Sequence, residues 1–230
     1  MNIQRLRFRY ALEADASHLS QRELVTAWHE ACAMAGLTIA AQEGRRQSSL
    51  LAIAASLPRG VTSGCEVIDI SLVDAGPPEL ALARLARQLP PGIRSLSVEE
   101  VGSNSPSLQS QVRWAEYQAC VNGVEAEPLR HAISSMLGAT TLPSEYRREK
   151  KVREYDLRPL VLDMRLTSHA NGDTVVVMRL RAEPERTARA DQVAAALGLP
   201  PTAQIRRTQL VLEEVAPILT AYRRAGQGAE

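Results

Sequence analysis

The chain has 230 residues, of which 45% are hydrophobic, so it can bury one large core or two smaller ones. The formal net charge of +1 excludes a strong overall attraction to nucleic acid and gives no signal for DNA binding. The sequence contains no apolar run of the roughly 20 residues that span a membrane. Three widely spaced cysteines exclude a disulfide framework and a local metal or iron–sulfur motif, and they predict a reducing, cytoplasmic location.

The first half of the chain predicts the element order β-α-β-β-α-β. Residues 5–12 alternate between apolar residues and arginine, which is typical of a strand with one basic face. Ser20 and Glu23 have the spacing of a capping box, which predicts a helix that ends near Gly36. The other predicted elements are strands at 49–55, 66–72 and 93–101 and a helix at 79–88, which follows two prolines.

The second half predicts the same order after a linker at residues 103–108. Its elements are strands at 111–121, 157–167, 174–182 and 205–212 and helices at 127–137 and 190–197, with a hairpin turn at 170–173. We therefore expect an α+β fold of two ferredoxin-like halves, residues 1–102 and 109–216, each an antiparallel sheet with helices on one face. A flexible tail is predicted at 217–230. The alternative is one continuous α+β sheet, since the halves share no sequence repeat.

Arginines on strand faces are the first candidate binding feature. In a ferredoxin-like unit one sheet face stays open, and an arginine-lined open face can hold an RNA backbone. The candidates are Arg5, Arg7 and Arg9 in the first strand and Arg165, Arg179 and Arg181 in the second half. The alternative is ordinary strand faces paired with carboxylates. Only 3% of residues are aromatic, so stacking platforms for bases are scarce.

A basic run and a polar loop are the other two features. Residues 147–153 contain five basic residues, including Lys150 and Lys151, which predicts a phosphate clamp or a dock for an acidic partner. The alternative is a charged surface loop. The loop at 42–49, which contains Gly44, is a weaker candidate for ligand binding.

Several short motifs follow one another along nearly the whole chain. They are Leu57-Pro58-x-Gly60-Val61-x-Ser63-x-x-Glu66-x-x-Asp69, Leu89-Pro90-x-Gly92-Ile93, Ala115-Glu116-Tyr117, Lys150-Lys151, Asp156-Leu157-Arg158-Pro159-Leu160 and Ile205-Arg206-x-Thr208-x-Leu210. As an ordered set they resemble the bacterial domain of unknown function that occurs beside, or fused to, cobalamin-binding radical S-adenosylmethionine (SAM) proteins. This resemblance implies an association with such a system and fixes neither substrate nor reaction.

The chain departs from the pattern of that family at two places. Where the family usually reads Ser-His-Leu-Asp, this chain has Gln21 in place of the histidine and Glu23 in place of the aspartate. Where the family usually reads Gly-Phe-Asn-Pro-His-Pro, this chain reads Glu43-Gly44-Arg45-Arg46-Gln47-Ser48, with Gln47 at the histidine position. Glutamine does not shuttle protons near neutral pH and is a poor metal ligand, so we expect a degenerate site.

The leading hypothesis is a non-catalytic companion of a radical SAM enzyme, which binds the enzyme or presents its substrate, with RNA as a candidate. Its predicted contact residues are Ser63, Glu66, Asp69, Arg158, Arg206 and Thr208. The alternatives are a stand-alone RNA-binding module and an enzyme whose acid–base groups would be Tyr117, Asp156 and His131. We predict no catalytic residue, no metal ligand set and no cofactor.

Overall fold

The computed structural model describes residues 2–42, 48–102, 104–148, 151–168 and 173–213. Within these ranges the chain forms five α-helices and one large mixed sheet, which confirms the predicted α+β class. None of the helices in the described ranges combines the length and the hydrophobicity that crossing a bilayer requires.

The first half contains seven strands and two helices. In chain order these are β1 (Ile3–Leu12), α1 (Gln21–Met34), β2 (Thr38–Ile39), β3 (Ala41–Gln42), β4 (Ser48–Ser49), β5 (Leu51–Ile53), β6 (Thr62–Val73), α2 (Pro78–Ala86) and β7 (Ile93–Val101). The capping box at the start of α1 is confirmed, because Ser20 Oγ accepts from Glu23 N and Glu23 Oε2 accepts from Ser20 N. The helix ends before Gly36, whose φ of +67° is easily adopted by glycine.

The second half contains seven strands and three helices. They are α3 (Leu108–Gln111), β8 (Val112–Val121), α4 (Ala126–Gly138), β9 (Pro143–Arg148), β10 (Lys151–Asp156), β11 (Val161–Ser168), β12 (Thr174–Glu183), β13 (Arg186–Thr187), α5 (Ala190–Ala196) and β14 (Gln204–Leu212). Single 3-10 turns at Ala14–Ala16 and Arg158–Leu160 complete the fold. The predicted strand at 157–167 therefore begins later, after the second of these turns.

One sheet runs through both halves, in the order β11-β12-β8-β14-β6-β1-β7. The twelve-residue strand β6 makes this continuity possible. Along one edge it pairs with β1, and along the other it pairs in turn with β14, β5 and β2. The β14–β6 contact is parallel and pairs Arg206 with Thr62 and Arg207 with Ser63.

The expectation of a separate antiparallel sheet in each half is wrong, and the alternative of one continuous sheet describes the molecule. The physical reason is that β5 covers only the middle of β6, so the start of β6 is left with free backbone groups that β14 satisfies. The division of the chain at residues 103–108 stays a prediction.

Two hydrophobic cores lie under this sheet. The first contains Phe8, Tyr10 and Trp28 with the apolar faces of α1 and α2, and the second joins α4 and α5 to β8, β12 and β14. The second core also includes Ala54, Val61 and Val67 of the first half, so the two halves meet around the junction of β6 and β14.

A two-stranded hairpin, β9–β10, was missed by the sequence analysis, which treated its basic residues as a clamp or a loop. Its register runs from Lys151 opposite Arg148 to Asp156 opposite Pro143. Charged residues fill most positions of the two strands, so the apolar alternation that normally predicts a strand is weak here. The predicted turn at 170–173 and the predicted tail at 217–230 fall largely or wholly outside the described residues.

Candidate functional site at the junction of the two halves

A buried ion pair joins the two halves of the sheet. Glu66 on β6 and Arg207 on β14 are 2% and 1% exposed. Arg207 Nη1 donates to both carboxylate oxygens of Glu66, at 2.8 Å and 3.0 Å. Because removing one member would leave the other charged and buried, the pair ties β6 to β14.

The remaining donors of Arg207 are also used. Its Nε and Nη2 donate to the Tyr117 hydroxyl at 3.0 Å and 2.8 Å, and Nη2 donates to the carbonyl of Ser56 at 2.8 Å. The planar guanidinium is thereby held by groups from β6, β8 and the segment that follows β5. This saturation stabilises one geometry and leaves little donor capacity for a ligand.

Burial and charge shift the pKa values of the groups around this pair. Burial works to lower the pKa of Arg207, but the charge of Glu66 and the contact with Tyr117 outweigh it and raise the pKa overall. Burial raises the pKa of Tyr117, and it raises the pKa of Tyr10 well above 10.0, with the charge of Glu66 acting in the same direction. The guanidinium of Arg207 is therefore charged and both phenols are neutral at physiological pH.

A small cavity lies beside Glu66 under the start of α1. Its volume is about 20 Å³, and its polar lining includes Tyr10, Gln21 and Ser56. Ser56 Oγ donates to Gln21 Oε1 at 2.6 Å, whereas no described residue forms a hydrogen bond with the buried Tyr10 hydroxyl. A space of this size accommodates about one water molecule, so the cavity is too small for an organic substrate.

Three other predicted contact residues lie on the same two strands. Ser63 is fully buried, and its Oγ accepts from Cys65 N at 3.2 Å. Thr208 Oγ1 donates to the carbonyl of Glu116 at 3.3 Å, and Arg206 Nη1 donates to Glu13 at 3.3 Å. The structure thus brings Ser63, Glu66, Arg206 and Thr208 to one junction, although only Glu66 belongs to the buried ion pair.

Asp69 belongs to a second cluster, on the opposite face of β6. Arg7 Nε and Nη2 donate to its two oxygens at 2.8 Å and 3.1 Å, and Arg5 Nη2 donates to it at 2.6 Å. The carbonyls of Ser105 and Pro106, in the predicted linker, also accept from Arg5. This placement favours the carboxylate-paired alternative for Arg5 and Arg7 over an open phosphate-binding face, whereas Arg9 on the same strand is exposed.

Arg158 caps a helix. Its Nε and Nη2 donate to the carbonyl of Leu137 at the end of α4, at 3.2 Å and 2.7 Å, and Nη1 donates to Val161 O at 2.9 Å. A cation is favourable at a helix C-terminus, where carbonyls lack partners. The motif around Arg158 is therefore explained by local structure.

The predicted degenerate site is described in part. Gln21 lines the small cavity, and Glu23 is engaged by the capping box and by Arg59 at 3.2 Å, with its pKa lowered mainly by the Ser20 hydrogen bond. Gly44, Gln47 and Lys150 lie outside the described residues, and Lys151 is placed by its backbone in β10.

A second polar surface lies on the sheet face opposite α4 and α5. The Arg179 guanidinium lies 4.4 Å from the centre of the Trp114 ring. Arg165 and Arg179 both approach one carboxylate, Glu116, at 3.4 Å and 3.6 Å. Arg165 also approaches Asp163 at 3.8 Å, so two half-exposed cations face two carboxylates beside an aromatic ring.

Neither Arg207 nor Tyr10 was predicted from the sequence as a site residue, and Tyr117 was a candidate acid–base group. Arg207 stands between two residues of a quoted motif, and no local feature distinguishes it from Arg206. Only the register of β14, which turns Arg206 and Arg207 to opposite faces, separates the two. Within the described residues no three His, Cys, Asp or Glu side chains come together as a candidate metal centre.

These features define an α+β protein whose two halves share a mixed sheet around a buried carboxylate–guanidinium pair. Residues 5–190 match the family described as "Uncharacterized protein conserved in bacteria (DUF2344)", and the chain belongs to that family. The prediction of a bacterial family of unknown function is thereby confirmed, while the radical SAM association stays a prediction.

Comparisons with other proteins add little about function. No curated protein matches the sequence significantly. The chain is 12% identical to a chain in the crystal structure of a Cbf5-Nop10-Gar1 complex, with 90% of this chain and 50% of that chain covered and a TM-score of 0.43. It is 14% identical to an unknown protein from Galdieria sulphuraria, covering 93% and 100%, with a TM-score of 0.27. The chain spans half the length of the matched chain in the Cbf5-Nop10-Gar1 complex, and neither TM-score supports an inference about function.

Proposed function

We propose that this protein is a non-catalytic companion of a radical SAM enzyme, which it binds or to which it presents a substrate. The proposal begins from the ordered motifs along the chain. Segments far apart in sequence, around Glu66 and around Arg206, meet at the β6–β14 junction. Because they meet there, the segments around Glu66 and Arg206 both contribute to the same part of the fold.

The observation that carries the proposal is the internal pairing of Glu66 and Arg207. A general base must reach a proton on a substrate, and its pKa must be matched to that task. Glu66 is instead held by two contacts from Arg207, beside a cavity of about one water molecule. These contacts support a rigid scaffold that would act by binding a partner at its surface.

Co-purification tests this proposal. The tagged chain, expressed in its native host, should retain a radical SAM protein through washing, in near-stoichiometric amount. Leu96 on the end strand β7 and Leu162 on the end strand β11 are exposed. The Leu96→Ser and Leu162→Ser variants are compared once circular dichroism shows that both fold normally. If only one of them fails to retain the partner, that variant locates the docking edge and the other is its control. Recovery of no radical SAM protein with the unmodified chain would contradict the proposal.

A stand-alone RNA-binding module is the second candidate, and the surface at Trp114 favours it. A half-exposed guanidinium over an indole ring suits an unpaired base and its phosphate. The side chains of Arg165 and Arg179 are 49% and 39% exposed, so both guanidinium groups are open to solvent although they approach Glu116. We propose this face, rather than the strand with Arg5 and Arg7, as the surface for RNA.

Fluorescence anisotropy with a labelled RNA stem-loop at increasing salt tests the second candidate. Each phosphate contact contributes roughly −0.7 to the slope of log K against log salt. The Arg165→Ser/Arg179→Ser variant should therefore reduce the slope by about 1.4. Arg84→Ser/Arg87→Ser removes two exposed charges at the C-terminal end of α2 and is the matched control. Equal slopes for both variants would contradict the proposal.

We also infer that the fold arose from two ferredoxin-like units. The order β7-β1-β6-β5 in the first half and the order β14-β8-β12-β11 in the second are the same when only these four strands of each half are numbered in chain order. Both read fourth, first, third, second, with a helix after the first strand and another after the third. Separate expression of the halves would test how far each folds alone.

A further inference from the structure

The end strand β11 leaves one edge of the large sheet without a neighbouring strand. Among the described residues β11 pairs with β12 alone, and no described backbone group outside β12 forms a hydrogen bond with the backbone of positions 162–167. The register with β12 skips Leu162, near the start of the strand, and is regular from Asp163 onward. The free backbone donors and acceptors of such an edge are a template for another strand.

The other end strand, β7, is less suited to pairing. Its register with β1 skips Leu96, so an irregularity lies in the middle of the strand, between Ser95 and Ser97. A bulge inside an edge strand increases the local twist and interrupts the ladder that a second strand would need. In β11 the irregularity lies at the beginning, and positions 163–168 form one uninterrupted run. Of the two edges, β11 is therefore the better site for an added strand.

The charges of β11 are complementary to those of a second copy of the same strand. A two-fold axis perpendicular to the sheet keeps its two faces in place, so an antiparallel pair of identical strands is centred on a residue. With Met164 at the centre, Asp163 lies opposite Arg165 of the second copy, twice per dimer. A shift of the centre by one residue places either Asp163 or Arg165 opposite itself. Opposite charges across a strand pair are favourable and like charges are unfavourable, so the charges select the centre at Met164.

The apolar residues of β11 fit the same register. Met164, which is 4% exposed and belongs to the second core, lies opposite its own copy. Leu162, which is 39% exposed, lies opposite Leu166, and the pairing removes part of its apolar surface from water. The side chains of Asp163 and Arg165 are 50% and 49% exposed, so both are accessible to a second copy. Apolar and charged positions are therefore matched in one register.

We propose that β11 pairs antiparallel with β11 of a second copy, in the register centred on Met164, and joins the two sheets into one. This inference goes beyond the function proposed above, because it concerns the assembly of the chain with itself. The axis would place the Trp114 surfaces of both copies on the same side of the joined sheet. A strand pair of this length buries a small area, so we expect a dimer that dissociates on dilution.

Two charge variants test the register. Asp163→Lys leaves only cations at positions 163 and 165, and Arg165→Glu leaves only anions, so either variant alone opposes like charges twice per dimer. By sedimentation equilibrium the unmodified chain should reach twice its mass of 25.1 kDa as the concentration rises. The dissociation constant should be about tenfold higher for each variant alone. An equimolar mixture of the two opposes cations and anions again, so its dissociation constant should return to that of the unmodified chain.

The matched control makes the same changes of charge on the other end strand. Glu100→Lys and Arg94→Glu lie at exposed positions of β7 and should leave the dissociation constant unchanged. Unchanged dimers in both β11 variants, or control variants that weaken the dimer equally, would overturn the assignment to β11. Failure of the mixture to restore the dimer would overturn the register. A chain that stays monomeric up to about 1 mM would overturn the pairing itself.

Cysteine cross-linking tests the register without changing a charge. Only the central residue faces its own copy, at a Cα separation of about 4.5–5.5 Å that a disulfide can span. Met164→Cys should therefore give a disulfide-linked dimer on non-reducing gels after mild oxidation. Leu166→Cys is the control, because its two copies lie four positions apart, about 13 Å. The three natural cysteines are present in both variants, so they contribute equally. Equal cross-linking of the two variants would overturn the register.

Discussion

Glu66 and Asp69 are two buried carboxylates on one strand, three residues apart, yet they belong to different clusters. Because successive side chains of a strand alternate between faces, a separation of three residues places them on opposite sides of the sheet. Glu66 is paired with Arg207 of the second half, and Asp69 is paired with Arg5 and Arg7 of the neighbouring strand. The first carboxylate joins the two halves, and the second stabilises the first half and its contact with residues 105–106.

The difference shows that the contribution of a buried carboxylate depends on which part of the chain supplies its arginine partner and on how far water reaches the pair. Arg207 is fully enclosed, so its pairing with Glu66 is unscreened by water. Arg5 keeps about a fifth of its side chain exposed, so part of its pairing with Asp69 is screened. We therefore expect perturbations of the Glu66 cluster to be larger than those of the Asp69 cluster.

The largest effect is expected for Arg207→Met. It leaves Glu66 buried without its partner, which typically destabilises a protein by about 3–5 kcal/mol. The measurement is the free energy of unfolding from urea denaturation. In the Glu66→Leu/Arg207→Met double variant both charges are gone, and much of the stability should return. A single variant within about 1 kcal/mol of the unmodified protein would show that the junction does not depend on this pair.

A smaller loss is expected for Asp69→Asn. The amide can accept one hydrogen bond from Arg7 but cannot balance the charge of two arginines, which should cost about 2 kcal/mol. Asp163→Asn, at a half-exposed aspartate near Arg165, is the matched control and should change stability by less than about 1 kcal/mol. Urea denaturation of the two variants side by side tests the ranking, and a loss for Asp69→Asn as large as that for Arg207→Met would reverse it.

A smaller effect again distinguishes the two tyrosines beside Glu66. Tyr117→Phe removes the oxygen that accepts two donors of Arg207, so it should destabilise by about 1 kcal/mol. Tyr10→Phe removes a hydroxyl with no partner among the described residues, so it should be neutral or slightly stabilising. Thermal unfolding of the two variants tests this difference. A larger loss of stability for Tyr10→Phe than for Tyr117→Phe would contradict the hydrogen-bond assignment.

The smallest expected effect is on alkaline stability. Both tyrosines have a pKa raised above 10.0 in the folded state, so they bind protons there that the unfolded chain releases. Their contribution to stability is present below pH 10.0 and is lost as the pH rises above it. Urea midpoints measured across this range should fall less steeply for Tyr117→Phe than for the unmodified chain. Parallel slopes would indicate that Tyr117 ionises normally.

Local chemistry made several elements predictable. The capping box at Ser20 and Glu23, the proline pair before α2 and the alternation in β1 each depend on residues close together in sequence. The β9–β10 hairpin at 143–156 was not predictable in this way, because charged residues occupy most positions of its two strands. Arg207 was equally hidden, since its burial depends on the bulge in β14 and on its parallel pairing with β6.

The sequence by itself determined the α+β class and most elements. Its motifs predicted Ser63, Glu66 and Asp69 as contact residues, and the structure shows that all three are buried. Periodicity and capping act over a few residues, so they can be read without a partner. Only the tertiary structure decided that the halves share one sheet, that Glu66 and Asp69 face opposite ways, and that Arg207 is the partner of Glu66. These outcomes depend on which distant strand satisfies the free edge of β6, and local sequence does not encode that choice.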